Sequence, residues 1–485
     1  MKTVKLNKLT AKWLSAFPAA VSSANARFYA FTLFIVCIFL MGGGSRDDIQ
    51  SLLLLRPLSI IFVAYAFSVS SHRRWTGNLL PVFMLATLAI LMMLQLAPLP
   101  PSVWSELPQR QIYFDIATLA GMEQPWRPLT LSPSKTLNSL FSLSVPLAAM
   151  LLFMNLERPD QRRALVVILL LAYFSAILAM LQLGGSSSGP LYFYQITNNG
   201  QAVGLFANRN HQAVLLACAI VIAAWYAGTI KRSEKSATIK VSAAIASIFV
   251  LLPLIFITGS RAGLVLALPA FIFALLFVYN GKFFSDAPKK NTKRVRKSKF
   301  KFWQRFSIKN LIAGAFILTL VSIVGAAFYA SRTAAFDRLT SGDAQAELRL
   351  DLLPTLLTMV QEYMPWGTGF GSFEHVYKIF EPLDLLKAEY LNQAHSDWLQ
   401  ILIEGGLPVV VLIVVFLGWL LARSRRVFDS SITKSRRSRI FLSVTIIGFL
   451  VAASIGDYPL RVPSMMAVLA VFLCVFSEAT ARSNR

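Results

Sequence analysis

The stretch ALVVILLLAYFSAILAMLQL (164–183) carries no charged residue, and the basic loop ERPDQRR (157–163) precedes it. A helix of this length rises about 30 Å, which matches the hydrocarbon thickness of a bilayer. Backbone groups in lipid have to form their hydrogen bonds within their own segment, so such a stretch is helical. It therefore predicts a transmembrane helix that follows a basic loop.

The same pattern recurs along the 485-residue chain, which is 56% hydrophobic, 14% charged and has a mean hydropathy of +0.60. Twelve spans are predicted, at 28–44, 51–70, 79–98, 136–156, 164–183, 210–230, 239–258, 262–280, 310–330, 407–422, 440–456 and 463–480. The predicted fold class is therefore all-α, a polytopic membrane protein of about twelve transmembrane helices. This composition argues against a set of soluble domains.

The distribution of charge predicts the orientation in the membrane. The short loops 72–75, 157–163 and 423–439 are basic, whereas residues 331–408 hold eleven of the 23 carboxylates and five of the 47 Lys and Arg. Cytoplasmic loops are enriched in Lys and Arg, so we expect both termini inside and residues 331–408 outside.

The predicted organisation follows from these assignments. It consists of a cytoplasmic segment 1–27, spans one to nine within 28–330, an outer catalytic loop 331–408, spans ten to twelve within 407–480, and a cytoplasmic tail 481–485. The net charge of +24 lies largely in short loops between spans, which indicates membrane lipids rather than nucleic acid as partners. Cys37, Cys218 and Cys474 fall within spans, as small buried hydrophobic residues do.

Three arginines stand out because of their depth. Arg56 is about 8 Å inside the second span, so its guanidinium either lines a wet cavity or extends outwards to the interface. Arg209 and Arg261 lie at the outer ends of their spans, in FANRNHQA (206–213) and TGSRAG (258–263). Each is either an interfacial anchor or a ligand of an anion.

Polar neighbours favour the interpretation of Arg209 as a ligand of an anion. Asn208, Asn210 and His211 surround it at a predicted helix N-terminus, where free N–H groups and the helix dipole favour an anion. Two guanidiniums at one outer cavity would suit a pyrophosphate, because arginine binds phosphate oxygens in bidentate fashion.

The outer loop contributes two further motifs. PWGTGFGSF (365–373) is either a glycine-rich phosphate loop or a tight turn. AHSDWLQILIEGGLP (394–408) predicts a helix that runs towards the tenth span. It contains His395, a candidate general base or a structural histidine, with Asp397 as its possible support.

These strings, in this order, resemble the O-antigen ligase and polymerase superfamily. PLPPSVWSELP (98–108), WRPLTLSP (126–133) and DYPLRVP (457–463) are also similar to that group. The resemblance implies a bacterial inner-membrane glycosyltransferase that takes an undecaprenyl-pyrophosphate-linked glycan at the periplasmic face. The acceptor would be lipid A–core for a ligase and a second lipid-linked repeat for a polymerase.

The resemblance also implies roles for particular residues. The essential histidine of the family falls on His395, and its cavity arginines fall on Arg209 and Arg261. Ser396 departs from the pattern, because many relatives have Asn there. The outer loops contain no Asp-x-Asp motif, so we expect metal-independent transfer with no metal site and no cofactor. Direct displacement by the acceptor hydroxyl would invert the anomeric centre.

Three alternatives remain at this stage. An O-antigen or exopolysaccharide polymerase would share the fold and the chemistry. A membrane transporter would be expected to place carboxylates near the middle of its spans, and the twelve predicted spans lack them there. A scaffold protein without a ligand would not explain the polar groups at the helix ends, which are costly in lipid unless they have a partner.

Overall fold

The computed structural model describes residues 22–70, 75, 77–281, 344–386 and 391–481. In chain order, its helices are α1 (Ala24–Met41), α2 (Leu52–Ser68), α3 (Leu79–Leu96), α4 (Pro101–Trp104), α5 (Gln111–Leu119), α6 (Pro133–Ser142), α7 (Ser144–Met154), α8 (Arg158–Gly184), α9 (Arg209–Thr229), α10 (Ala237–Ile257), α11 (Arg261–Tyr279), α12 (Ala344–Tyr363), α13 (Phe373–Phe380), α14 (Asp397–Ser424), α15 (Lys434–Gly456) and α16 (Pro463–Thr480).

The helices agree with the predicted spans wherever the structure describes them. Ten are long and apolar enough to cross a membrane within the described ranges, counting α6 and α7 as one. The shorter apolar α2 stands at the second predicted span. The ninth predicted span, 310–330, and most of the predicted N-terminal segment lie outside the described residues. The helical membrane architecture is confirmed, while the number of twelve spans and the sidedness of the termini stay predictions.

Two details differ from the predicted fold. The helix predicted within 394–408 and the tenth span form one helix, which begins at Asp397 and is kinked at Gly406, whose φ of 58° and ψ of −151° are non-helical. Within the described residues there is also one short antiparallel ladder, in which β1 (Pro98–Leu99) pairs with β2 (Arg127–Pro128). This ladder closes the segment between α3 and α6.

The chain forms two compact units. The first comprises residues 1–168 and 344–485, and the second comprises residues 169–343. In the first unit α7 packs between α2 and α16, and α16 also packs against α15. Nine of the ten residues 145–154 of α7 are buried, and Leu147 is partly exposed, as expected for a helix that is apolar on every face.

The segment between β1 and β2 is held together by Arg110, which is 1% exposed. Its guanidinium lies 5.8 Å from the ring centroid of Trp104 and 5.6 Å from that of Tyr363. It donates hydrogen bonds to the carbonyls of Pro108 (3.1 Å) and Leu129 (2.8 Å). Burial lowers the pKa of Arg110 to about 10, so the side chain remains a cation at neutral pH.

The second unit is built around α9, which packs against α10 and α11. Its side chains are almost all buried, and many of them are alanines. A Cβ on Gly263 of α11 would lie 2.5 Å from the Cβ of Ala213, so the two helices approach as closely as a glycine allows. This close packing fixes α9 and α11 with their first turns together.

Candidate active site

His395 lies in a tight turn immediately before α14. Its φ of 51° is left-handed, a conformation that histidine adopts more readily than most residues with a side chain. Ser396 caps the helix, because its hydroxyl accepts a hydrogen bond from the Leu399 N–H at 3.4 Å. Serine and asparagine are both good N-caps, so the departure at this position preserves the capping chemistry. His395 therefore lies directly before the N-cap of α14, and its side chain is partly exposed.

Asp397 joins the start of α14 to the connection between α15 and α16. One carboxylate oxygen accepts hydrogen bonds from Ser454 Oγ (2.9 Å) and from the Leu460 N–H (3.1 Å). The other lies 3.5 Å from Arg461 Nε. The backbone N–H of Asp397 also donates to the Asp457 carbonyl at 3.1 Å. These contacts make Asp397 an anchor for the turn, and its support of His395 stays a prediction.

A second set of contacts runs from Arg461 back to the histidine turn. Arg461 Nη2 donates to Glu404 Oε2 at 3.0 Å, and Glu404 is fully buried. Gln400 Nε2 donates to the other oxygen of Glu404 at 3.0 Å. Gln400 Oε1 accepts from the N–H of Ala394, the neighbour of His395, at 2.9 Å. The chain Arg461–Glu404–Gln400–Ala394 therefore holds the backbone that carries the imidazole.

Sequence reasoning missed most of this support. Tyr458, whose ring centroid is 5.2 Å from that of His395, and Arg461 both belong to DYPLRVP, which was noted only as a resemblance. Glu404 offered a usable signal, because a carboxylate directly after ILI and before two glycines needs a cationic partner. We found no comparable signal for Gln400.

The glycine-rich segment 365–373 is a packed turn. Its amides are used inside the protein: Thr368 N donates to Ile403 O (2.9 Å), Gly369 N to Glu404 O (2.9 Å) and Phe370 N to Gln95 Oε1 (3.0 Å). These are the groups that would have to hold a phosphate. The structure therefore favours the turn over the phosphate loop among the two predicted alternatives.

The turn leads to a prediction for Gly369, whose φ is +98° and whose Cβ would overlap the side chain of Thr130. Gly369→Ala should destabilise the protein by about 2–4 kcal/mol, since it adds both a clash and a strained backbone. The measurement is the thermal unfolding midpoint of the purified protein. Gly418→Ala is the matched control, because nothing lies within 4 Å of its Cβ, and it should be neutral. Equal midpoints for the two variants would contradict the packed turn.

A cavity of about 430 Å³ opens next to Asp397 and Arg461 within the first unit. Arg56 is in its wall, and its Nη1 donates to Asn138 Oδ1 at 2.6 Å. Of the two predicted alternatives for Arg56, the structure therefore supports the cavity rather than extension to the interface. His395 itself does not line this cavity.

In the second unit, Arg209 is the first residue of α9 and is 7% exposed. Asn208 caps the helix by accepting a hydrogen bond from the Asn210 N–H at 2.8 Å. The N–H of Arg209 donates to Asn198 Oδ1 at 3.0 Å. His211, in the first turn of the helix, is 1% exposed, which is the environment of a core residue.

The guanidinium of Arg209 reaches the turn that precedes α11. A Cβ on Gly259 would lie 3.4 Å from Arg209 Nη1, and Arg261 follows as the first residue of α11. Ser260 caps that helix by accepting from the Gly263 N–H at 3.1 Å. Two capped helix N-termini therefore lie side by side, and each begins with an arginine. Their dipoles and guanidiniums together favour a bound anion.

The predicted site residues thus fall into two sets. Arg56, His395 and Asp397 belong to the first unit, and Arg209 and Arg261 belong to the second together with their neighbours Asn208, Asn210 and His211. Among the described residues, no three His, Cys, Asp or Glu side chains lie together as metal ligands would. Metal-independent transfer stays a prediction.

Residues 246–414 match the family model described as O-antigen ligase. The chain carries an O-antigen ligase domain. The match begins within α10 and ends within α14, so it includes Arg261, the glycine turn and His395. No curated protein matches the chain. The predicted superfamily is confirmed, and this O-antigen ligase-like protein is a multi-pass inner-membrane protein that processes glycans.

Proposed function

We propose that this protein transfers a glycan from undecaprenyl pyrophosphate to the sugar of an acceptor at the periplasmic face, as an O-antigen ligase with lipid A–core as acceptor. The observation that carries the proposal is the histidine turn. It lies within the family match, it is partly exposed, and it is held by two networks of buried and partly buried polar groups. A histidine with only a packing role would not require its backbone to be held by these networks.

In the proposed reaction, an acceptor hydroxyl attacks the anomeric carbon of the glycan. His395 takes the hydroxyl proton as the new carbon–oxygen bond forms. The bond from the anomeric carbon to the pyrophosphate breaks, and the lipid pyrophosphate leaves with the electron pair. Direct displacement inverts the anomeric centre, and neither a metal nor another cofactor takes part.

Arg209 and Arg261 are proposed to stabilise the leaving pyrophosphate. Charge develops on the pyrophosphate oxygens as the bond breaks, and fixed guanidiniums are suited to that charge. The paired N-termini of α9 and α11 support this assignment, because they already concentrate donors and positive potential at one place.

The function is tested with purified protein and a lipid-linked glycan, offering lipid A–core or a second lipid-linked repeat as acceptor. A ligase joins the glycan to lipid A–core, whereas a polymerase lengthens the lipid-linked glycan. Transfer should continue in the presence of a chelator. Uptake of substrate into proteoliposomes without any glycan transfer would instead support a transporter and overturn the proposal.

The arginine assignment leads to a separate prediction. Arg261→Ala should lower the transfer rate by about 10²–10³-fold, because one set of donors to the developing charge is lost. Arg261→Lys should retain an intermediate rate, since it keeps the charge without the bidentate geometry. Arg232→Ala, which removes an exposed arginine from the same unit, is the matched control. We would withdraw the pyrophosphate role if Arg261→Ala left both donor binding and transfer intact.

A further inference from the structure

Gln95 is a polar side chain buried in a membrane-spanning helix. It lies in the last turn of α3, which contains only one other polar residue, Thr87, and it is 6% exposed. A polar side chain within a span is costly unless its donors and acceptors have partners. The amide of Gln95 has its partners 275 and 309 residues further along the chain, within the same unit. Gln95 therefore joins segments that are distant in sequence.

One of these segments is the break in α14. The helix is interrupted at Gly406, and Pro408 follows. In a continuous helix the carbonyl of Glu404 would accept a hydrogen bond from the N–H of residue 408, which proline lacks. The carbonyl of Ile403 also loses its helical donor, because the N–H of Leu407 donates to a carbonyl of the glycine-rich turn at 2.8 Å. Two carbonyls in a span therefore need donors from outside their own helix.

The glycine-rich turn and Gln95 supply these donors. The turn gives one backbone amide to each carbonyl, as described above. Gln95 Nε2 is a second donor to the Glu404 carbonyl, at 3.0 Å. At the other end of the same amide, Gln95 Oε1 accepts from the Phe370 N–H at 3.0 Å. One side chain of α3 therefore fastens the turn to the broken helix.

The residue that Gln95 holds is also part of the support of the histidine turn. The carboxylate of Glu404 accepts from Gln400 Nε2 at 3.0 Å. Gln400 Oε1 in turn accepts from the Ala394 N–H at 2.9 Å, directly before His395. Because the carbonyl and the carboxylate belong to one residue, a backbone shift at Glu404 would be passed to the histidine turn.

We propose that Gln95 is a positioning residue for the glycan transfer, and this inference rests on the proposed function. Gln95 holds Glu404 in place, so that Gln400 fixes the backbone that carries His395. A general base has to lie within hydrogen-bond reach of the proton that it takes, so a small displacement of the imidazole slows the reaction. Binding of the donor does not depend on Gln95, because its pyrophosphate is assigned to the arginines of the second unit.

The first test separates the transfer rate from donor binding. Gln95→Met removes both hydrogen bonds and keeps much of the side-chain volume. The single-turnover rate with saturating lipid-linked donor should fall by about tenfold, the equivalent of one ordinary hydrogen bond, while the Kd of the donor keeps its parental value. Rates are expressed per molecule that binds the donor, so that loss of folded protein does not enter the comparison.

A double variant tests whether Gln95 acts through Gln400. Gln400→Met alone should also lower the rate, by about tenfold. When Gln95→Met is combined with it, the fall should stay close to that of either single variant, because both substitutions interrupt the same chain of contacts. A fall of about a hundredfold would show two independent effects and overturn the proposal.

Nuclear magnetic resonance follows the imidazole directly. Protein with isotope-labelled histidines gives imidazole resonances, and His395→Asn identifies the one that belongs to His395. In Gln95→Met this resonance should shift or split, because the turn that carries the ring is held less firmly. Gln95→Asn keeps an amide but is one methylene too short to reach both partners, so it should change the resonance and lower the rate as well. This milder variant carries the test if Gln95→Met is not recovered folded.

Two controls match these variants. Gln111→Met makes the same substitution at an exposed position of α5, and Thr87→Val removes a hydroxyl from α3 that bonds within its own helix. Both should keep the parental rate and the parental resonance of His395. The proposal is overturned if Gln95→Met transfers glycan at the parental rate, weakens donor binding instead, or leaves the His395 resonance unchanged.

The two measurements also separate this inference from the proposed function. If the parental protein transfers no glycan, the proposed function is refuted, and the His395 resonance of Gln95→Met still decides whether Gln95 positions the histidine. Parental transfer together with an unaffected Gln95→Met would refute this inference alone.

Discussion

His395→Asn should lower the rate of glycan transfer by about 10²–10⁴-fold, the usual contribution of a general base. Asparagine is the substitution of choice because it also tolerates the left-handed backbone of this position. It keeps a polar side chain of similar reach but cannot take the proton of the acceptor hydroxyl. The measurement is a single-turnover rate with saturating lipid-linked donor.

The matched control for this variant is His375→Asn. His375 belongs to α13, in the same predicted outer loop, and it is exposed. It should transfer glycan at the parental rate. Both variants should unfold at the parental temperature, since the contacts through Gln400 end on the backbone N–H of Ala394, which neither substitution changes. If His395→Asn retained more than about a tenth of the parental rate, proton transfer by His395 would be excluded as a main contribution.

The helices could be predicted from the sequence because lipid leaves the backbone few choices. A charge-free stretch of about twenty residues has to be helical in a bilayer, and α8 shows this in 164–183. The continuity of α14 from Asp397 into the tenth span was harder to predict. Its first turns lie in a segment with polar residues, where the absence of charge over about twenty residues cannot be used to predict a helix.

The support of the candidate site could not be predicted, because it joins distant segments. Glu404 and Arg461 are 57 residues apart, and nothing local in DYPLRVP indicates which carboxylate the arginine meets. The two alternatives for Arg56 were likewise undecided until the position of Asn138, 82 residues away, was known. The sequence of a span shows its length and its polar residues. Which other helix packs against each of its faces depends on the packing of the whole bundle.

Arg461→Met should destabilise the protein by about 3–5 kcal/mol, the usual cost of removing one partner of a buried ion pair. The variant keeps much of the side-chain volume but leaves Glu404, which is fully buried, without its cation. Asp397 loses one of its partners as well. The measurement is the thermal unfolding midpoint in detergent, together with the transfer rate. The rate should also fall, since the chain of contacts that holds the histidine turn begins at Arg461.

Two further variants test whether the unpaired buried charge of Glu404 causes the loss of stability in Arg461→Met. Lys378→Met removes a cation from the more exposed pair with Glu374, where a loss below about 1 kcal/mol is expected. The double variant Arg461→Met with Glu404→Gln removes both charges and should recover most of the lost stability, because the neutral amide that replaces the carboxylate no longer needs a cation. Stability that returned without activity would mean that the turn needs Arg461 itself to hold His395 in place. If Arg461→Met cost no more than Lys378→Met, the pair would be as weak as a surface contact, and the histidine turn would have to be held by Asp397 and its other partners.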